Sequence, residues 1–218
     1  MTAAAPVEKF PALEAVPGLT HGFTGRVAGL DVQADREVAL RRLDGHHAAA
    51  RTALGLGEKR LVLGEQVHGR EIALVDENTA GPVAGVDGLI TASPGVCLGI
   101  YVADCCAVYL ADPVRRVIAL LHSGRRGSEL GITAAALATM RADFGCDPAD
   151  LVVQLSPCIR PPRYEVDFAA LILAQCRAAG VTQVADCGIC TGAQVGRYYS
   201  YRVERGQTGR MLALLALA

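Results

Sequence analysis

Two adjacent cysteines and a later histidine carry the chemistry in YVADCCAVYLADPVRRVIALLHSGRRG, residues 101–127. A thiolate and an imidazole brought together can share a metal ion, or act as nucleophile and base. The turn between them is best centred on Asp-Pro-Val-Arg, because Asp and Pro favour the first two turn positions. Asp112 then faces Arg115, and counting outward sets Cys105 directly opposite His122. Opposed residues of an antiparallel pair share a face, with Cβ atoms roughly 4.5–5.5 Å apart. Cys106 points to the other face and is expected in the core. The alternative is that Cys105 and His122 are themselves core, since free cysteine is among the most buried residue types. A one-residue slip would turn Cys105 away from His122.

His68, in GEQVHGR, sits just past a strand in a glycine-flanked loop, a poor place for a packed core side chain. His68, Cys105 and His122 together supply two imidazoles and a thiolate. Three protein ligands plus an open position is the pattern of a catalytic zinc site. Next, HSGRRGSELGIT joins a strand end to a helix through Gly124 and Gly127, with Arg125 and Arg126 between them. That combination suits an anion such as phosphate. Asp104 is either an acceptor for a ligand histidine or a buried hydrogen-bonded carboxylate. CGIC (187–190) lacks the second cysteine pair of a zinc knuckle and is read as structural. His46 and His47 lie about 100° apart on a helix and do not form a ligand pair.

The elements that must position these residues follow from periodicity. Helices are expected over 34–57, 128–145 and 167–180, with Asp167 as an N-cap and Gly145 as a stop. On the first, Val38, Leu43, His47, Ala50 and Leu54 fall near one stripe. Short β-like runs cover LTHGF, RLVLGEQVHG, REIALVDE, DGLITAS, GVCLGIYVAD and ADLVVQLSP. A final pair of strands is read in RYYSYRVE and GRMLALLALA. No repeat or long linker divides the chain, so a single α+β domain over 1–218 is expected.

Composition narrows the function. The chain has 218 residues, 21 basic and 22 acidic, with no Trp. Nothing points to nucleic acid or an anionic membrane by bulk charge. No apolar run reaches the roughly 18 residues of a membrane span. Glu8, Lys9 and two prolines stand where a signal peptide would have its apolar centre, so a cytoplasmic location with reduced thiols is expected.

In order and spacing, a set of motifs resembles the laccase-domain family, also called multicopper polyphenol oxidase or YfiH-like and regarded as purine nucleoside phosphorylases. The set is HGFTGR (21–26), QVHG (66–69), DGLIT (87–91), ADCCAVYLAD (103–112), HSGRRG (122–127), PCIRPPRYEV (157–166), CT (190–191) and YYSYR with TGR (198–210). The resemblance implies a mixed β-sheet sandwich with flanking helices. It implies His68, Cys105 and His122 as ligands of zinc, or of copper, and Arg26, Gln66 and Arg126 as pocket residues for substrate and phosphate. It implies phosphorolysis of adenosine, inosine or methylthioadenosine, with adenosine deamination as a further activity, by a monomer or small homo-oligomer. Copper-dependent phenol oxidation and peptidoglycan-precursor editing are alternatives within the family. Departures are Arg125, where the family usually has Trp, Ala107 in place of Pro, and VAGLDV after Arg26. From the residues alone, a Cys105 nucleophile with His122 as base, or a non-catalytic nucleoside-binding module, also remain open.

Overall fold

The computed structural model describes residues 2–218. Its strands are β1 (Val7–Glu8), β2 (Leu19–Thr24), β3 (Arg60–Leu63), β4 (Ile72–Leu74), β5 (Gly88–Thr91), β6 (Val96–Val102), β7 (Cys106–Asp112), β8 (Val117–Ser123), β9 (Val152–Leu155), β10 (Gln183–Asp186) and β11 (Met211–Leu217). The helices are α1 (Pro11–Glu14), α2 (Arg36–Ala53), α3 (Arg125–Glu129), α4 (Ile132–Phe144) and α5 (Phe168–Ala178). One sheet runs β1-β2-β11-β6-β3 and the other β10-β9-β7-β8-β5-β4. The expected α+β sandwich of mixed sheets is therefore present.

Alternation along the strands builds the layers. Leu98, Ile100 and Val102 of β6 meet Ala107, Tyr109 and Ala111 of β7 in the core between the sheets. The opposite face of β7, with Cys106, Val108 and Leu110, packs under Ala136, Met140 and Ile172 of α4 and α5. Because β7 and β8 are buried on both faces, their sequences read as continuous apolar runs. Asp167 caps α5 by accepting from the Ala170 N–H, and Gly145 ends α4 with φ 66°. Among the described residues no helix is long and apolar enough to cross a membrane.

Three expectations change. In the β7–β8 hairpin Asp112 pairs with Val117, and His122 faces Ala107 rather than Cys105. The turn is longer than the sequence suggested. Asp112 accepts from the N–H groups of both Val114 and Arg115, and Arg116 takes φ 54°. The register thus moves by two residues, which preserves faces. Cys105 lies just before β7 and, extrapolated, meets Gly124 diagonally from His122. The 128–145 helix is two helices, broken at Gly131, whose φ of 79° no other residue adopts cheaply. RYYSYRVE is not a strand. Its backbone groups bond locally, Glu204 N to Ser200 O and Gly206 N to Tyr201 O, and its Ser200 and Arg202 bind the Asp104 carboxylate.

Candidate active site

The centre of the site is a carboxylate that the sequence reading did not single out. Asp87, fully buried just before β5, accepts from the N–H groups of Val67 at 3.1 Å, His68 at 2.9 Å and Gly69 at 2.7 Å. Gln66 and His68 adopt left-handed φ values of 63° and 60°. These angles turn successive N–H groups inward into an anion-binding nest, which the Asp87 side chain fills. Such backbone costs on the order of 1 kcal/mol per residue and gathers at functional sites. Asp87 Oδ1 also bonds His122 Nδ1 at 2.7 Å. With Nδ1–H donated to the carboxylate, Nε2 of His122 is left free to bind a metal. One carboxylate therefore positions both histidines. Its signal in the sequence was the Asp of DGLIT, read only as the start of a strand.

Cys105 enters from the other side, after Asp104 at φ 80°. Its sulfur lies against Gly124, where a Cβ would stand 2.5 Å from Sγ. Glycine is thus required at 124 by a close approach. The rings of His68 and His122 are 4.7 Å apart between centroids, inclined at 76°. The ligand atoms of His68, Cys105 and His122 all lie within 4.8 Å of one another, and no other cluster of three metal-ligating side chains occurs among the described residues. CGIC is outside this cluster, and Cys190 serves in a backbone bridge to Cys158.

Electrostatics couple the three. Burial alone would raise the Cys105 thiol, but the His122 charge and hydrogen bonds from His122 and His68 lower it to about 6. Burial would lower His122, yet the Cys105 thiolate and Asp87 raise it to about 9. Without a metal the pair is a thiolate beside an imidazolium. With one, a soft sulfur and two imidazoles form a donor set suited to zinc or copper. The fit is supported by the buried Asp87 brace and by the glycine cradle at the sulfur.

The cluster opens into a cavity of about 1000 Å³. Gln66 and Arg126 line it. Gln66 spends both ends of its amide on the Tyr101 backbone, donating to the carbonyl at 2.6 Å and accepting from the N–H at 3.0 Å. It ties the His68 loop to β6. Arg26 is not among the lining residues. It is paired with Glu204 at 2.7 Å, donates to the Tyr198 carbonyl and lies 4.4 Å over the Tyr199 ring. Arg125 reaches the cavity wall and pairs with Glu129 at 2.9 Å. Arg36, Arg202, Arg205 and Arg210 line the cavity as well, two of them from the YYSYR and TGR motifs and none singled out by its local sequence.

Asp104 accepts from Thr191 Oγ1 at 2.6 Å, Ser200 Oγ at 3.0 Å and the Arg202 N–H at 2.7 Å. Of its two readings, the buried hydrogen-bonded carboxylate is the one observed. Burial raises its pKa, only partly opposed by these donors.

A family model described as multi-copper polyphenol oxidoreductase laccase matches residues 24–170 and 166–218. The chain belongs to this family. Among relatives of this laccase-like chain, a Streptomyces coelicolor protein named purine nucleoside phosphorylase is 33% identical over 233 residues, covering 91% of this chain and 95% of its own. A Deinococcus radiodurans protein of the same name is 32% identical over 231 residues, covering 90% and 88%. The crystal structure of YlmD from Geobacillus stearothermophilus superposes with a TM-score of 0.85 at 25% identity, over 100% of this chain and 98% of that one.

Proposed function

We propose that the chain is a zinc-dependent purine nucleoside phosphorylase, converting adenosine, inosine or methylthioadenosine and phosphate to the free base and ribose 1-phosphate. The observation that carries this is a His-Cys-His donor set opening into an arginine-lined cavity, in a chain related to proteins of that name. His68, Cys105 and His122 would hold the zinc, which when bound supplies Lewis-acid charge beside the reacting atoms. Arg126 binds phosphate through charge-assisted hydrogen bonds. A phosphate oxygen then bonds to C1′ of the ribose as the bond to the purine nitrogen breaks. The electron pair leaves with the purine, which takes up a proton. Asp87 orients both histidines. Gln66 and Arg26 are positioning residues, the first for the His68 loop and the second for the 198–205 segment through Glu204.

The test is metal-quantified protein incubated with adenosine and phosphate, with products separated. Adenine and ribose 1-phosphate are expected; inosine would report deamination at the same site. Absence of turnover, or undiminished turnover in Cys105→Ala, overturns the proposal. A second reading, a Cys105 nucleophile with His122 as base, is favoured by the thiol's lowering to about 6. It requires metal-free protein to be active and an electrophilic substrate analogue to label Cys105. Zinc that is stoichiometric and needed for turnover excludes it.

A further inference from the structure

Positive charge on the cavity wall is answered by the chain at Arg125 and Arg202, and not at Arg126 or around Arg210. Near α3, Arg125 pairs with Glu129 at 2.9 Å, and Arg202 pairs with Glu165 at 2.7 Å. Where the start of α2 meets the end of the 198–210 segment, no carboxylate of the described residues forms an ion pair with the cations. Arg210 there is 8% exposed and faces the cavity. Its Nη1 donates to the carbonyls of Thr208 and Gly209, at 2.8 and 2.9 Å. Among the described residues neither its Nε nor its Nη2 has an acceptor, and no carboxylate pairs with it. Its guanidinium lies 5.7 Å from the centroid of the Tyr201 ring. Arg36 and Arg205 line the same cavity and likewise have no ion-pair partner among the described residues.

Burial first, and then the nearby charge of Arg36, push Arg210 below its ordinary value, and Tyr201, Cys105 and Asp104 only partly oppose them. A buried cation facing another cation is costly unless a counter-charge sits between them. The guanidinium fork matches phosphate geometry. The cavity, at about 1000 Å³, is at the upper end of small-molecule sites, so it has room for an anion beyond the one assigned to Arg126.

We infer that the substrate brings a phosphate of its own: a purine nucleoside monophosphate, whose phosphate sits on Arg210, Arg36 and Arg205. This rests on the purine nucleoside reading above and narrows its substrate class.

The test is calorimetric titration of adenosine and of AMP into metal-quantified protein, alongside phosphorolysis of both. AMP should bind at least about tenfold more tightly, the size of one charge-assisted contact. The advantage should shrink in Arg36→Ala and Arg205→Ala, both surface changes, and in Arg210→Lys, which keeps charge but loses the fork. Adenosine binding should change less in each. Equal affinity for the two ligands overturns the inference. So does an equal loss of both in the variants, since the arginines would then grip a group common to both. Adenosine turnover with no AMP advantage leaves the phosphorylase reading standing and removes the subsite. An AMP advantage with phosphorolysis of neither ligand does the reverse.

Discussion

Two buried carboxylates serve the site, Asp104 on the cavity wall and Asp87 bonded to His68 and His122, and they do different work. Each accepts from the backbone of a neighbouring loop, Asp87 from three N–H groups and Asp104 from one. Asp87 also faces His122, whereas the direct partners of Asp104 are neutral hydroxyls and one N–H. For Asp87, burial pushes the pKa up, but His122 and the loop donors override it and hold it low. For Asp104, burial prevails and the pKa is raised. The signs of their stability contributions follow. Asp87 stabilises the fold above its ordinary 3.8, and this is lost as pH falls through its lower folded value. Ionised Asp104 costs stability at neutral pH, a cost relieved as pH falls through its raised value. A carboxylate with a cationic partner can hold ligands. One with neutral partners holds a loop.

The largest expected effect that sharpens this contrast is Asp87→Asn. It leaves His122 buried without one of its two counter-charges, the Cys105 thiolate remaining, and disrupts the nest at 67–69, a loss of about 3–5 kcal/mol. Metal affinity should fall by about 10–100-fold, as measured by metal analysis after dialysis against a graded chelator. Asp104→Asn should cost less, about 1–3 kcal/mol in denaturant unfolding, because its donors are neutral. Its metal content should stay near that of the parent. If Asp104→Asn strips the metal as fully as Asp87→Asn, the distinction collapses. The smallest effect is kinetic. In chelator-treated protein, alkylation of Cys105 should follow a midpoint near pH 6, the thiolate being lost below it, rather than near the ordinary 9.0. Since Asp87 supports the His122 charge that lowers Cys105, Asp87→Asn should move that midpoint upward. Asp104→Asn should leave it near its parent value.

The grouping of His68, Cys105 and His122 was legible because chemistry restricts which side chains could serve a metal, and strand alternation tolerated an error of two residues. Cys105 and His122 share a face whether the turn closes at Arg115 or, as found, at Val117. Asp87 was not legible, because nothing local marks a residue whose partners lie 18 to 35 positions away. The RYYSYRVE segment has the tyrosines and valine of a strand. Its Ser200 and Arg202 are claimed by Asp104, nearly 100 residues earlier, and that tertiary demand overrides β propensity. Strand β10 was missed because it is four residues long and pairs at a sheet edge with β9 alone. Arg26 shows the limit of motif transfer: its place in the order of motifs is met, yet its guanidinium is committed to Glu204.

The position of β11 has a consequence for how the chain is made. It lies between β2 and β6, pairing with both, although it follows them by more than a hundred residues in the sequence. During synthesis the inner edge of β2 therefore waits, with its N–H and C=O groups unpaired, while His68, Cys105, His122 and most of the cavity wall have already been translated. The first sheet closes only when residues 211–217 emerge. Until then the nascent chain presents two open edges of the kind that pair wrongly with other chains. Strand β11 directly follows Arg210, so the same late segment that closes the sheet also seats the buried guanidinium.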